Sequence, residues 1–566
     1  VARPQMAANR GMNLRTADWV KHVGIVLLTA MAAARADIAL VNINGYTPTG
    51  AGLREFNMLV ISDNGRVLAV GDQALLNAHP DAVRIDGRGR TVLPGLTDAH
   101  AHVYGLGFLA VSLDLTGSPS LREALRQIAE YSASVPHSSW IQGRGWNQVL
   151  WPVQEFPRAA DIDDVVSERP VWLRRIDGHA GWANSKAIEI AGIDNDTPDP
   201  IGGNIVRDAS GKATGILIDK AMALVAQHIP APDKDDIRAA YLEASRYLLS
   251  LGMTSVHDAG INIREAEVYM SMADDGELGM RIYAMLSDAG ENLDAMGAPL
   301  QGYGDDRLEI AAVKIYADGA LGSRGAALIE PYSDDVENRG LPFFTADELT
   351  GFTRKANGMG FQAAIHAIGD LGNRMALDAF DAVQGGKPSP LRNRIEHAQI
   401  IALADLPRFA KLGVIASMQP THATSDMNMA EDRVGAERIK GGYAWRRLLE
   451  SGAVIASGSD FPVELANPWH GLYAAVTRQS RDGEPEGGWY ADQALTRAEA
   501  LHTFTLAAAY AAHQEDRLGS LEPGKWADFV MIDRDYFDIP ASEIDDIQVL
   551  ETWVGGKRVF QAGGTQ

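Results

Sequence analysis

The chain has 566 residues, 51 Lys and Arg against 74 Asp and Glu for a formal charge of −23, and no cysteine. That length and a 46% hydrophobic content suit a globular chain of more than one domain with a large core. So acidic a chain, with no Lys/Arg-dense run, repels phosphate backbones and excludes nucleic-acid binding; the missing thiols exclude disulfides and thiolate chemistry, leaving histidine, carboxylate or a modified side chain to hold any metal.

In chain order, the first signal is an export segment. Met12–His22 is weakly basic, Val23–Ala33 is apolar, and Ala34-Arg35-Ala36 offers small residues at the two positions a signal peptidase reads. Cleavage is expected before Asp37, the apolar run being too short to anchor in a bilayer. Residues 1–36 are therefore read as a signal peptide with the residues preceding it, and the mature chain as exported and periplasmic. A frayed amphipathic helix is the alternative.

Short strand-like runs follow at Ile38–Ile43, Met58–Ser62 and Arg66–Val70, with Asp63-Asn64-Gly65 as a turn. The same texture returns in Ala527–Asp533 and Val549–Val554, after which Gly555-Gly556 turns into Arg558–Phe560. Residues 37–92 and 515–566 are expected to build one small composite β-sandwich domain from both chain ends.

Between them, residues 93–514 alternate short apolar runs with helical stretches, the α/β pattern of a (β/α)8 TIM-like barrel. Eight candidate strands are Leu93–His102, Thr254–Asp258, Arg281–Leu286, Ala311–Ala317, Phe361–His366, Arg394–His397, Val414–Met418 and Val454–Ser459. A large insertion, 115–253, interrupts the pattern after the first strand. It carries helical periodicity near 121–133 and 235–251 and is expected to cover the active site.

In such a barrel the active site forms where strand C-termini meet. Those positions read, in order, His100, His102, Lys314, His366, His397 and Asp460. His100 and His102, at i and i+2 on one strand, project from one face toward one divalent ion. The set has the residue types of a hydrolytic two-metal centre: imidazoles for each ion, an anionic bridge and a carboxylate for the proton. Taken singly, His366 and His397 also fit satisfied buried histidines, and Asp460 a helix N-cap. Lys314 fits no such alternative, because lysine is seldom buried without a partner.

Several stretches then carry a family resemblance: Leu93–His102, Asp177–Ser185, Val313–Arg324, His366–Asp370, Glu396–Gln399, Met418–His422, Ser457–Pro462 and Leu518–Asp528. Together they resemble the amidohydrolase superfamily of metal-dependent hydrolases. Within it, the chain is similar to the amidohydrolase-3 or YtcJ-like branch that includes N-substituted formamide deformylases. The resemblance covers nearly everything after the export segment.

It implies that His100, His102 and Asp460 hold one metal, His366 and His397 a second, and that N-carboxylated Lys314 bridges the two. Burial already pushes an amine toward its neutral, nucleophilic form, which suits carboxylation. Two divalent ions are implied, zinc first, with manganese, iron or cobalt as substitutes. A metal-bridging hydroxide would attack the substrate carbonyl, with Asp460 as base and then acid.

Trp146, His179 and Trp182 in the insertion are candidate substrate contacts, with Arg324 for an anionic group and His422 for the carbonyl or leaving group. Packing competes as a role for the tryptophans, and ion pairing for Arg324. The activity implied is hydrolysis of a C–N bond in an amide, N-formyl or N-acyl compound. An ester, lactone or cyclic-amide hydrolase on the same scaffold is the alternative, and a non-catalytic binding or regulatory protein the alternative of another class. The expected partners are a small amide-type substrate and a second copy in a homodimer, with neither nucleic acid nor a stable membrane anchor.

Overall fold

The computed structural model describes residues 36–564 apart from 177 and 201. The export segment expected over 1–36 falls, but for Ala36, outside the described residues. Among the described residues no helix is long and apolar enough to cross a membrane.

The two chain ends meet in one seven-stranded sheet. Its order is Lys557–Gln561, Val549–Val554, Phe529–Ile532, Val83–Pro94, Ile38–Thr49, Gly52–Ile61 and Val67–Gly71. The Asp63-Asn64-Gly65 turn forms as expected: Gly65 takes a φ of 86° and donates its N–H to Ser62 O. Alternate residues of these strands, among them Leu40, Phe56, Leu59, Val92, Phe529 and Met531, build a small core of their own. The strand Val83–Pro94 was not anticipated, and it joins the two ends. It runs parallel to Ile38–Thr49 and antiparallel to Phe529–Ile532 before feeding the barrel.

The barrel strands are Leu96–Ala101, Met253–Ile261, Arg281–Leu286, Leu308–Tyr316, Gln362–Ala367, Arg394–His397, Ile415–Met418 and Ile455–Ser457, each parallel to the next. Their near-continuous apolar runs suit strands buried on both faces. Closure comes from the backbone just beyond the eighth strand. Asp460 N–H donates to His100 O at 2.8 Å, and His102 N–H donates to Phe461 O at 2.8 Å. The seam that closes the barrel therefore also sets Asp460 beside His100 and His102.

Helices cover the barrel where caps and apolar stripes agree. Lys234–Ser250 starts from an Asp233/Asp236 capping box and buries Ile237, Tyr241, Ala244 and Leu248 in the barrel's main core. The part of the insertion before it is a six-stranded sheet in the order Gly203–Arg207, Ala213–Asp219, Ala180–Ala183, Val171–Arg175, Ile141–Trp146, Leu113–Asp114. That sheet has a separate core around Trp146, Trp151 and Trp182.

One ion pair couples the terminal sheet to the barrel. Arg281 Nε and Nη2 donate to Asp528 Oδ2 and Oδ1 at 2.6 and 3.0 Å, and both residues are buried. Removing one partner strands the other charge in a low dielectric. Asp528→Ala is therefore expected to lose about 3–5 kcal/mol of stability, measured as a shift in the unfolding midpoint. A shift of less than about 1 kcal/mol, the scale of an exposed pair, would remove this coupling from the account.

Candidate metal centre

Five barrel strands deliver side chains to one spot at their C-terminal ends. His100 lies on the first strand, and His102 opens the helix Val103–Val111 that follows it. Lys314 comes from the fourth strand, His366 from the fifth, His397 from the sixth and Asp460 from just past the eighth. His397 and Asp460 take φ values of 71° and 64°. Such left-handed backbone costs a non-glycine residue about 1–3 kcal/mol and persists where the surroundings over-determine it.

The expected six residues are brought together. His102 Nε2 lies 3.2 Å and His100 Nε2 3.6 Å from Asp460 Oδ1. Lys314 Nζ is 3.0 Å from His100 Nε2. The His397 ring sits 4.9 Å from that of His100 and 4.5 Å from that of His366, centroid to centroid. His422, from the helix after the seventh strand, joins them, with Nε2 3.7 Å from Asp460 Oδ2.

Hydrogen bonds fix two of the imidazoles. His100 Nδ1 meets Glu396 Oε2 at 2.5 Å and His397 Nδ1 meets Gln419 Oε1 at 2.8 Å. Both partners accept, so each Nδ1 carries the proton and each Nε2 keeps its lone pair. Burial, then the Lys314 charge, pulls the His100 imidazole down to about 4. His366 and His397 are held well below the usual histidine range, chiefly by burial. These imidazoles are neutral. Burial also brings Lys314 down to about 8. For Asp460 burial pushes upward, but His102, 3.2 Å away, and the other imidazoles around it hold the carboxyl well below its ordinary value.

The donors present fit divalent cations. Asp460 Oδ1, His366 Nε2 and His422 Nε2 are buried without a hydrogen-bond partner, at a cost of about 1–3 kcal/mol each that a cation would offset. Two threesomes, His100–His102–Asp460 and His397–His422–Asp460, each bring one ligand atom per residue to within 4.8 Å of one another. Nitrogen and carboxylate donors of this kind suit zinc and its neighbours. The second threesome takes in His422, where sequence reasoning paired His397 with His366. His366, its ring 4.5 Å from that of His397, also has its Nε2 3.7 Å from Asp318 Oδ1.

The other sequence candidates have partners outside the cluster. Trp146 and Trp182 pack against each other in the core of the insertion sheet, and their indole N–H groups donate to Leu173 O and Arg158 O. His179 is exposed, with Nδ1 2.8 Å from Asp219 Oδ1. Arg324 pairs with Asp334, which also meets Arg433. For the tryptophans and Arg324 these are the packing and ion-pair roles weighed from sequence.

Sequence reasoning gave no role to three buried acids. Asp98 accepts from His100 N–H at 3.1 Å and from Ser459 N–H and O–H at 3.0 and 2.6 Å, clamping the eighth strand's end to the first. Asp318 accepts the N–H groups of Ala327, Ile368 and Gly369, tying the loop after the fourth strand to the end of the fifth. Glu396 orients His100. For Asp98 an acid inside a buried strand was the available signal.

Beside the Asp98 clamp, Gly458 has no room for a side chain. A Cβ there would lie 2.3 Å from Asp98 Oδ1 and 2.6 Å from His100 N. Gly458→Ala is expected to cost about 1–3 kcal/mol through overpacking and to displace His100, lowering metal content with activity. Wild-type metal content and turnover would show that the clamp tolerates movement.

Comparisons with known proteins agree with this geometry. The amidohydrolase family model matches residues 84–560. The Bacillus subtilis (strain 168) protein YtcJ is 31% identical over 85% of this chain and 91% of its own. The N-substituted formamide deformylase of Arthrobacter pascens is 30% identical over 89% of this chain and 95% of its own. Among solved structures, an uncharacterised metal-dependent hydrolase from Pyrococcus horikoshii superposes with a TM-score of 0.75 at 30% identity, covering 89% of this chain and 99% of that one.

Proposed function

The chain belongs to the amidohydrolase family, and from that membership we propose that this hydrolase cleaves the C–N bond of an N-formyl or N-acyl amine at the histidine–aspartate cluster. The observation that carries the reading is the convergence of Asp460 Oδ1, His366 Nε2 and His422 Nε2, buried and unpartnered, beside His100 and His102. The 30% identical relative named N-substituted formamide deformylase supports the choice of bond.

Two zinc ions are the proposed cofactors. His100, His102 and Asp460 would hold one, and His397 with His366 or His422 the other, with carboxylated Lys314 between them. When bound, such ions polarise a substrate carbonyl and acidify water near neutral pH.

The protein's own groups handle the proton. Asp460 is ionised across the neutral range and accepts a proton from the attacking water. An amide nitrogen leaves poorly as an anion, so the same carboxyl then returns that proton to the departing nitrogen. Where His366 completes the second metal, His422, with Nε2 3.7 Å from Asp460 Oδ2, would hold the carbonyl oxygen or the leaving group.

The test is a hydrolysis screen of zinc-loaded protein on N-formyl amines, N-acetyl amines, N-acylamino acids and lactones. Amine release from an N-formyl or N-acyl class is expected. Turnover of lactones alone, or of nothing, would overturn the assignment.

A further inference from the structure

Beneath the cluster lies a buried ion pair that the chemistry above does not use. Resting on the metal reading of the site, we propose that Glu396, held by Arg394, is the positioning residue that makes His100 a metal ligand.

Arg394 and Glu396 occupy i and i+2 of the sixth barrel strand and share its inward face. His397 follows directly, and an unbroken strand would send it outward. The φ values of 71° at His397 and 43° at Ala398 break the alternation, so that Glu396 and His397 both reach His100.

Arg394 is fully buried and its donors are spread over four strands. It donates through Nε and Nη2 to both Glu396 oxygens at 2.5 and 3.0 Å, through Nη2 also to Ala99 O and Ser417 Oγ at 2.6 Å each, and through Nη1 to His257 Nδ1 at 3.0 Å. This fork fixes the Glu396 carboxylate in position and compensates its charge. The carboxylate in turn accepts from His100 Nδ1, the ring edge opposite the Nε2 that faces Lys314 and Asp460. Ring rotation, tautomer and ligand basicity of His100 all follow from that one contact.

The test titrates metal-stripped full-length protein with zinc against a competing chelator, reading bound equivalents, affinity and the melting temperature of the stripped protein. Glu396→Gln leaves Arg394 without a counter-charge, so the double variant Arg394→Met/Glu396→Gln is measured beside it; removing both charges spares the fold. In a folded variant, zinc affinity for one equivalent is expected to fall by about 10–100-fold. Wild-type affinity with only a lowered melting temperature would reduce the pair to a structural one and overturn the proposal.

If neither variant folds, Glu396→Asp keeps the charge beside Arg394 while drawing the carboxylate off His100 Nδ1. It is read on the same scale, with unchanged affinity again overturning the proposal. A wild-type protein that binds no zinc would instead overturn the metal reading itself.

Discussion

Asp460→Asn is expected to lower kcat on an amide substrate by about 10²–10⁴-fold, the range a positioned proton carrier contributes, with zinc content near that of the wild type. The asparagine keeps an oxygen toward His100 and His102, which lie 3.6 and 3.2 Å from Asp460 Oδ1, so a donor remains. What it loses is the ability to take up a proton. Because an alkoxide leaves unaided more readily than an amide nitrogen, the loss should be larger on an amide than on an activated ester. Measured kcat values on a matched amide and ester decide this, and near-wild-type amide turnover would remove Asp460 from the proton path.

Lys314→Ala should also be severe, about 10²–10³-fold in kcat, since it removes the group proposed to bridge two cations. Small carboxylates such as acetate should recover part of the activity by filling the space of the missing carbamate. Lys314 is buried at 1% exposure, and burial brings its amine down to about 8. A lysine so lowered reaches its neutral form, the form that combines with carbon dioxide, at a lower pH than an exposed one does. The neutral fraction is about 1% at pH 6 and about half at pH 8, so reactivation of metal-stripped protein by zinc at fixed dissolved carbon dioxide should run about 50-fold faster at the higher pH. Reactivation that ignores both pH and carbon dioxide would count against a carbamate.

Much of this site was legible in the chain because the signals were local. An i, i+2 histidine pair on a strand needs only the two-residue period, and a lysine inside Ala-Ala-Val-Lys-Ile-Tyr stands out against its apolar neighbours. The strands Arg281–Leu286 and Arg394–His397 begin and end at the residues expected from the sequence.

The misses share a cause. Val83–Pro94 interleaves charge with small residues, and it becomes a strand only because both ends of the chain flank it. Asp98, Asp318 and Glu396 read as letters of motifs, since their hydrogen-bond partners lie far off in sequence. His422 joins Asp460 and His397 only once the seventh and eighth strands stand side by side.

The sequence by itself determined which residues stand at the strand ends that meet, because periodicity, apolar runs and residue type are properties of short stretches. Only the tertiary structure decided which of them share a hydrogen bond or an ion pair. His100 takes its orientation from Glu396, 296 residues away, and Asp98 holds Ser459 across 361 residues. Electrostatic and hydrogen-bond coupling depends on distance in space, which barrel closure sets and local pattern does not.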